Sequence, residues 1–353
     1  MRMTMRLIIR GIVLGIFPVA TVVIGSGAVG AENYVIRGSD VLDTDHYRFQ
    51  VVLVKSSSPP GEEYKNFPGN VICGGTLLPH NWVLTAGHCV MTDKNADLAA
   101  KDVDVYVGSY NFRNGQRIKV DSITKHPDHD PKTYASDVAL LKLHNAPSDK
   151  VRTETITLVG EGADLSLVTH ASDVTVLGWG MTKPDKSNSM SRTLQKATLT
   201  LVSQNDCNTK VVSHNLITAL MNYNYWTLGI KESIPRPIAQ RIAKSILEDV
   251  ENNSVTPMVT DRMICAVDKA PPVEGLVRGQ CSGDSGGPLL STDQNGRHTQ
   301  IGIVSWSPKP CGTSETIGVY ARLAQSDILT WINSTLSSSP QAGQRSETQS
   351  NKH

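Results

Sequence analysis

The sequence lacks an excess of either charge. It contains 34 Lys and Arg and 33 Asp and Glu among 353 residues, so its formal net charge is +1. A protein that binds nucleic acid mainly through its phosphates has a basic patch or a strongly basic balance. The composition therefore gives no case for nucleic acid as a partner. The hydrophobic fraction of 39% is ordinary for a globular protein and excludes wholesale disorder.

Three further features are absent. No Cys-x-x-Cys pair occurs, and because such pairs are typical of structural zinc sites, no metal site is expected from the cysteines. No internal repeat is found. The apolar run from Gly11 to Ile24 is too short for a membrane-spanning helix, which needs about 20 residues.

The N-terminus has the pattern of an export signal. Three arginines precede the apolar run, and small residues follow it up to Ala31. This order predicts a signal peptide over 1–31, cut after Val29-Gly30-Ala31, and the short run disfavours the alternative of a retained anchor. Residues 32–34 then form a possible short pro-segment. We expect a secreted protein, extracellular or periplasmic, without a stable membrane anchor.

The cysteines are even in number. A chain that reaches an oxidising compartment forms disulfides by default, so three bridges are expected. Spacing alone does not choose among the possible pairings. The six residues are Cys73, Cys89, Cys207, Cys265, Cys281 and Cys311.

Short β-rich segments, bounded by turn residues, recur along most of the chain. Many short strands at this spacing are typical of an all-β sandwich or barrel. A helix is expected near the C-terminus, from about 326 to 336, and the polar tail 337–353 is expected to be disordered. The predicted strands are Phe49–Lys55, Val71–Leu78, Trp82–Thr85, Val103–Gly108, Val138–Leu143, Val174–Gly178, Gln195–Val202, Gln300–Trp306 and Gly318–Leu323.

Residues 208–260 interrupt the strand pattern. Within them, apolar residues recur every four positions with polar residues between. This predicts an amphipathic helix over about 237–251. The recurring residues are Ile238, Ile242, Ile246 and Val250.

Three short motifs carry the chemistry. A histidine beside a cysteine follows an apolar strand, an aspartate opens a buried-looking strand, and a serine lies in a glycine-rich turn. Any one of them alone is weak evidence, but together they occur in the order His, Asp, Ser. The motifs are Leu84-Thr85-Ala86-Gly87-His88-Cys89, Asp137-Val138-Ala139-Leu140-Leu141-Lys142-Leu143 and Gly283-Asp284-Ser285-Gly286-Gly287-Pro288.

These residue types fit nucleophilic catalysis. A serine hydroxyl needs an adjacent base, and a histidine can take its proton and return it to the leaving group. A buried carboxylate fixes the histidine tautomer. Glycines near the serine let backbone N–H groups converge on a developing oxyanion. The candidate catalytic residues are His88, Asp137 and Ser285.

At these motifs the chain resembles the trypsin/chymotrypsin family of serine proteases. The resemblance runs from about Val35 to Leu336 and implies two six-stranded antiparallel β-barrels, with a C-terminal helix, a helical insertion and a catalytic cleft between the barrels. It implies a serine-type endopeptidase that is active without a cofactor. Gly283 and Ser285 would supply the oxyanion hole.

The resemblance also implies a disulfide pattern and a substrate-binding segment. Ser305-Trp306-Ser307 is similar to the segment that pairs with the substrate backbone as an extra strand. The expected partners are protein or peptide substrates and protease inhibitors, and the chain is expected to be a monomer. The implied pairs are Cys73–Cys89, Cys207–Cys265 and Cys281–Cys311.

The specificity pocket departs from trypsin. Gly279 stands where trypsins have an aspartate, Gln280 follows it, and Ser307 and Gly318 form the walls. Since no carboxylate lies at the pocket base, cleavage after Arg or Lys is expected to be disfavoured, and a small-to-medium apolar side chain is expected instead. Glu315 could reach the pocket, although a charge in a loop is usually solvated.

The activation end departs as well. The family's new N-terminus would be Val35, which pairs with Asp284, but Tyr34 precedes it where family precursors have a basic residue. The insertion 208–260 is either a lid or exosite beside the cleft or a surface elaboration. Residues 126–130 are interpreted as a plain loop and not as a metal site.

Two other functions were considered. The motif around Ser285 also fits the Gly-x-Ser-x-Gly elbow of α/β-hydrolases, but poor helix sequence follows the serine. A non-catalytic binding protein on the protease fold is the main alternative, since fold alone does not establish activity.

Overall fold

The computed structural model describes most of the chain. The predicted signal peptide and pro-segment, Glu315, and the tail beyond 338 lie outside the described residues. Within two of the helices, the side chains of 220–222 and 245–250 are also left undescribed. The described ranges are 35–57, 70–111, 114–184, 189–222, 235–250, 258–313 and 316–338.

The first half of the chain forms a closed antiparallel barrel. Its strands pair in the order β2-β3-β4-β7-β6-β5, and β5 closes the ring onto β2. The short strand β1 (Ser39–Asp40) precedes this barrel. The barrel strands are β2 (Gln50–Lys55), β3 (Val71–Leu78), β4 (Trp82–Thr85), β5 (Val103–Val107), β6 (Gln116–Lys125) and β7 (Ala139–Leu143).

The second half forms another barrel. Its ring runs β10-β11-β14-β13-β12-β9, and pairing of β9 with β10 closes it. β1 pairs with the edge of β10, and β8 pairs with β13 in parallel. The strands are β8 (Thr157–Leu158), β9 (Asp173–Gly178), β10 (Gln195–Val202), β11 (Met263–Val267), β12 (Pro288–Thr292), β13 (His298–Trp306) and β14 (Gly318–Arg322). The predicted fold class is confirmed.

Side-chain alternation explains why these segments are strands. In β6, Ile118 and Val120 are buried while Lys119 between them is exposed. The period of two places alternate residues on opposite faces of a strand, so one face enters the barrel core. β7 is buried nearly throughout, because it has neighbours on both faces.

Four helices complete the described chain: α1 (Leu165–Thr169), α2 (Gln204–Asn222), α3 (Arg236–Val250) and α4 (Ser326–Ser337). In α4, Ile328 and Ile332 are fully buried. This agrees with the C-terminal helix that the spacing of these residues predicts. No helix among the described residues is long and apolar enough to span a membrane.

The insertion is a pair of helices, α2 and α3. The predicted bounds of α3 match the structure within one residue, but the predicted buried face does not. Ala239 and Ala243 are fully buried, whereas Ile238 and Ile242 are 41% and 36% exposed. α3 packs on Ile217 of α2 through small residues, and this close helix contact leaves the two isoleucines outside.

One hydrophobic core joins the barrels. Its members include Val51 and Leu140 of the first barrel and Leu177 and Leu289 of the second. All six cysteines form disulfides; one bridge lies within this core, and the other two lie in separate small clusters. The bridges are Cys73–Cys89, Cys207–Cys265 and Cys281–Cys311, the pairs that the resemblance implies.

Candidate active site

His88 lies directly after β4, at the start of a short 3-10 helix. Its neighbour Cys89 is bonded to Cys73 of β3, which fixes this turn to the barrel wall. Gly87 has no room for a side chain, because a Cβ there would lie 2.9 Å from the ring of His129. The imidazole of His88 is therefore held at the cleft, with about a quarter of its side chain exposed.

Asp137 is fully buried immediately before β7. Its Oδ1 accepts a hydrogen bond from the backbone N–H of His88 at 2.8 Å, and its Oδ2 lies 2.8 Å from His88 Nδ1. Ser305 Oγ donates a further bond to Oδ2 from the second barrel. With Nδ1–H held by the carboxylate, Nε2 of His88 is left as the basic nitrogen.

The protonation state of Asp137 follows from these contacts. Burial acts to raise the pKa of its carboxyl, but the charge of His88 and the hydrogen bonds from His88 and Ser305 outweigh it. The pKa of Asp137 therefore lies below its ordinary value. The carboxylate stays ionised, which is the state that stabilises an imidazolium.

His129 is a contact that sequence reasoning missed. It belongs to the segment interpreted as a plain loop, yet its Nδ1 lies 3.7 Å from Asp137 Oδ1 and 3.3 Å from the carbonyl oxygen of Ala135. Burial lowers the pKa of His129, so the ring is neutral beside the carboxylate at neutral pH. No sequence signal indicates this placement, because only folding of the loop brings His129 to Asp137.

Ser285 lies in a tight glycine turn that touches the first barrel. Gly283 and Gly286 have φ values of +99° and +79°, a region that L side chains rarely adopt. A Cβ on Gly286 would lie 2.5 Å from the carbonyl oxygen of Gly74, and the N–H of Gly74 donates to the carbonyl oxygen of Ser285 at 2.7 Å. Glycine is needed here because the backbones of the two barrels meet.

His88, Gly283 and Ser285 line one cleft of about 440 Å³. Among the described residues no hydrogen bond joins Ser285 to His88. Catalytic hydrogen bonds are often long in a free enzyme and tighten when substrate is bound. The arrangement can support a serine attack with His88 as the base.

The backbone N–H groups of residues 283–286 fall into two sets, those that have an acceptor and those that have none. Asp284 N–H donates to Cys281 O and Gly286 N–H donates to Val304 O. By contrast, the N–H groups of Gly283 and Ser285 have no acceptor among the described residues. Unpaired N–H groups beside a nucleophile are the pattern that stabilises an oxyanion.

One group of potential metal ligands occurs in the same cleft. The ligand atoms of Cys73, His88 and Cys89 lie within 4.8 Å of one another. The two sulfurs are joined in a disulfide and are not thiolates, so this group cannot bind a metal as a thiolate site.

Comparison with known proteins identifies the family. The family model described as Trypsin matches residues 35–229 and 223–332. The chain belongs to the trypsin family. Its relatives include Trypsin 5G1 of Aedes aegypti, 30% identical over 74% of this chain and 73% of that protein. Trypsin Blo t 3 of Blomia tropicalis is 26% identical over 86% of each chain. Human Kallikrein-7 is 26% identical over 75% of this chain and 77% of its own.

The segment that the resemblance assigns to substrate binding lies at the cleft. Ser305 and Trp306 end β13, and both line the cleft together with Ser307. Ser305 faces inward to Asp137, as described above. The segment is therefore placed beside Ser285, where an extended peptide could pair with it.

Two of the residues that the resemblance assigns to the specificity pocket line the cleft. They are Gln280 and Ser307. A Cβ on Gly318 would lie 2.3 Å from Oε1 of Gln280, so the amide fills the space beside that glycine. Gln280 is 2% exposed, and its Oε1 accepts a hydrogen bond from the hydroxyl of Tyr320.

The residues that the resemblance assigns to activation, Val35 and Asp284, are both buried. Val35 and Ile36 are fully buried, and Gly279 N–H donates to Ile36 O at 3.3 Å. Asp284 accepts bonds from the N–H groups of Gly180 and Cys281 at 2.7 and 2.9 Å. Burial raises its pKa to about 7, and no cation is paired with it among the described residues.

Proposed function

We propose that this chain is a secreted serine endopeptidase that cleaves peptide bonds through an acyl-enzyme. The observation that carries the proposal is the bonding of His88 to the buried Asp137, with Ser285 and two unpaired N–H groups in the same cleft. Family membership supports a serine-type peptidase. No cofactor takes part in this chemistry.

The chemistry follows from these groups. Nε2 of His88 takes the proton of Ser285 Oγ as Oγ bonds to the scissile carbonyl carbon. The N–H groups of Gly283 and Ser285 stabilise the oxyanion. His88 then gives the proton to the leaving amine as the C–N bond breaks, and an ester on Ser285 remains. Water then loses a proton to His88 as its oxygen bonds to the ester carbon. The bond between that carbon and Ser285 Oγ breaks, His88 returns the proton to Oγ, and the carboxyl product leaves.

Substrates are expected to be proteins or peptides, with inhibitors that occupy the same cleft. No carboxylate lies at Gly279, so Arg and Lys are disfavoured in the residue before the cleaved bond (P1). Three disulfides and the signal-like N-terminus support secretion.

Activation is proposed to depend on a new N-terminus. A free amine at Val35 would supply the cation that Asp284 lacks, and ionised Asp284 would hold the turn of Gly283 and Ser285 in place. Since Tyr34 precedes Val35, the cut is not that of a trypsin-like activator.

A peptide library combined with a fluorophosphonate label tests the function. The secreted protein is expected to take up the label and to cleave peptides, and Ser285→Ala is expected to lose both. Ser291→Ala, on β12 of the same barrel, is the matched control and should keep both. If the protein with a free Val35 terminus neither takes up the label nor cleaves peptides, the chain is a binding protein on the protease fold.

A further inference from the structure

The specificity pocket contains a buried donor without an acceptor. Nε2 of Gln280 is buried and has no hydrogen-bond partner among the described residues. The residue lines the same cleft as His88 and Ser285. A buried polar group without a partner costs free energy, so a ligand that supplies the missing acceptor is favoured over one that does not.

Tyr320 fixes which end of the amide stays unpaired. Its hydroxyl donates to Oε1 of Gln280, and both groups are buried. If the amide were turned over, Nε2 would meet the hydroxyl oxygen and the phenol proton would lose its acceptor. The observed orientation therefore pairs the phenol proton of Tyr320 with Oε1 and leaves Nε2 of Gln280 as a donor for the substrate.

Charge excludes two classes of side chain. A lysine or arginine offers only donors, which cannot pair with Nε2. A carboxylate could accept, but its charge would be buried beside Gln280 and Tyr320 without a paired cation, which costs more free energy than burying an uncharged amide. Among the described residues that line the cleft, Lys309 and Asp93 are the ones with a Lys, Arg, Asp or Glu side chain. Both side chains are exposed.

Space sets the size of the side chain. A Cβ on Gly279 would meet nothing within 4 Å, so the region beside that residue is open. The Gln280 amide takes up the space beside Gly318 and shortens the pocket on that side. A side chain of moderate length fits this shape better than a long one.

We infer that the pocket selects a P1 residue with an uncharged carboxamide, glutamine or asparagine, whose carbonyl accepts a hydrogen bond from Gln280 Nε2. This inference rests on the proposed function and names its substrate class. It replaces the apolar P1 side chain expected from the sequence. The sequence does not show how the amide of Gln280 is oriented, and that orientation makes the pocket wall a hydrogen-bond donor.

Peptides that differ only at P1 test the inference. The secreted protein, cut to a free Val35 terminus, is assayed with glutamine, methionine, glutamate and lysine at P1, and active sites are counted with a fluorophosphonate. Methionine is the apolar side chain closest in shape to glutamine. We expect kcat/KM for glutamine to exceed that for methionine by about tenfold to a hundredfold, since the analogue leaves the donor unpaired.

Three variants distinguish the loss of the Gln280 amide from general damage to the fold. Gln280→Leu is expected to lower the glutamine-to-methionine ratio to about one or below, because the apolar side chain removes the donor. Tyr320→Phe is expected to lower the ratio partly, since the amide loses the partner that orients it. Gln300→Leu removes another buried glutamine of this barrel, on β13, and should leave the ratio unchanged.

The outcomes separate the two proposals. Labelled protein that prefers methionine, with a ratio that Gln280→Leu does not change, would overturn the carboxamide inference alone. Labelled protein that prefers lysine would overturn it as well. Protein that neither labels nor cleaves would overturn the proposed function together with the inference.

Discussion

At the scale of single residues, the charge of Asp284 depends on how the chain is processed. In the uncut chain its pKa is about 7 in the folded state against 3.8 for an unperturbed carboxyl. Between these values the folded state binds more protons than the unfolded state. Its stability therefore falls as pH rises from about 4 to about 7, and the loss is complete above that.

We predict that cutting before Val35 weakens this pH dependence. The new ammonium pairs with the carboxylate, so the pKa of Asp284 falls and ionisation no longer destabilises the fold. Urea unfolding of the uncut and cut forms from pH 4 to 8 measures the difference. Burial lowers the pKa of His126 and His129, which makes stability rise with pH up to about 6.5, but both forms share this contribution.

Asp284→Asn in the uncut chain is the matched control. It removes the titrating group while keeping the shape of the side chain. The variant should show the pH dependence of the cut form. Equal pH dependence of the uncut chain, the cut form and the variant would contradict an unpaired Asp284 in the precursor.

The sequence specified residue types better than residue contacts. The three motifs named His88, Asp137 and Ser285 because the chemistry requires those side-chain types, and their order along the chain is that of the family the sequence resembles. By contrast, the approach of His129 to Asp137 depends on a loop conformation, and the orientation of the Gln280 amide depends on the hydroxyl of Tyr320. Both contacts depend on how separate segments fold against each other, and no local sequence pattern encodes them.

At the scale of elements, the paired helices of the insertion show where periodicity fails. A repeat of every four residues located α3 within one residue. It selected the isoleucines as the buried face, because large apolar residues carry most of the signal. The structure buries Ala239 and Ala243 instead, since small side chains allow α3 to approach α2 closely. A pattern that weights residues by hydrophobicity underrates alanine in such contacts.

We predict that Ala243→Glu separates α3 from α2 without unfolding the barrels. The carboxylate would be buried against Ile217, at a cost of about 3 kcal/mol to the local packing. Hydrogen exchange should become faster in α3, while the core strands keep their protection. Arg241→Glu places the same side chain on the exposed side of α3 and should leave exchange unchanged. Faster exchange in both variants, or in neither, would contradict the packing through alanine.

At the scale of the whole molecule, each barrel is tied to the other by chain that crosses between them. β1 precedes the first barrel but pairs with β10 of the second. Trp331 of α4 packs against His126 of the first barrel at a centroid distance of 5.0 Å, with the two ring planes tilted by 58°. Arg262 of the second barrel bonds to Ser136 Oγ at 2.9 Å. These contacts, with the shared core, make the barrels interdependent.

We predict that the two barrels unfold in one transition. Calorimetry should give a calorimetric enthalpy equal to the van't Hoff enthalpy, as expected for a single cooperative unit. Trp82 and Trp179 lie buried in different barrels, so single-tryptophan variants report on each separately. Two midpoints that differ by more than a few degrees would show that the shared core does not couple the barrels.

Architecture was the most predictable level. Nine strand segments read from the sequence, together with the resemblance at three motifs, gave two six-stranded barrels and a C-terminal helix. Most of those segments correspond to strands in the structure, with bounds that differ by a few residues. The alternation of buried and exposed residues is a local property, so it survives into the fold. Five strands were missed: β1 and β8, whose two residues are too few to show a period, and the longer strands β6, β11 and β12.

The division of the cleft between two barrels has a consequence for synthesis. Asp137 and His88 belong to the half that leaves the ribosome first, whereas Ser285 and the strand that carries Ser305 come much later. A nascent chain with only the first barrel has the base and its carboxylate but no hydroxyl to activate. On the proposed mechanism, the nascent polypeptide is therefore chemically silent until nearly the whole domain has been translated, and the order of the chain adds to the protection that the uncut Val35 terminus gives.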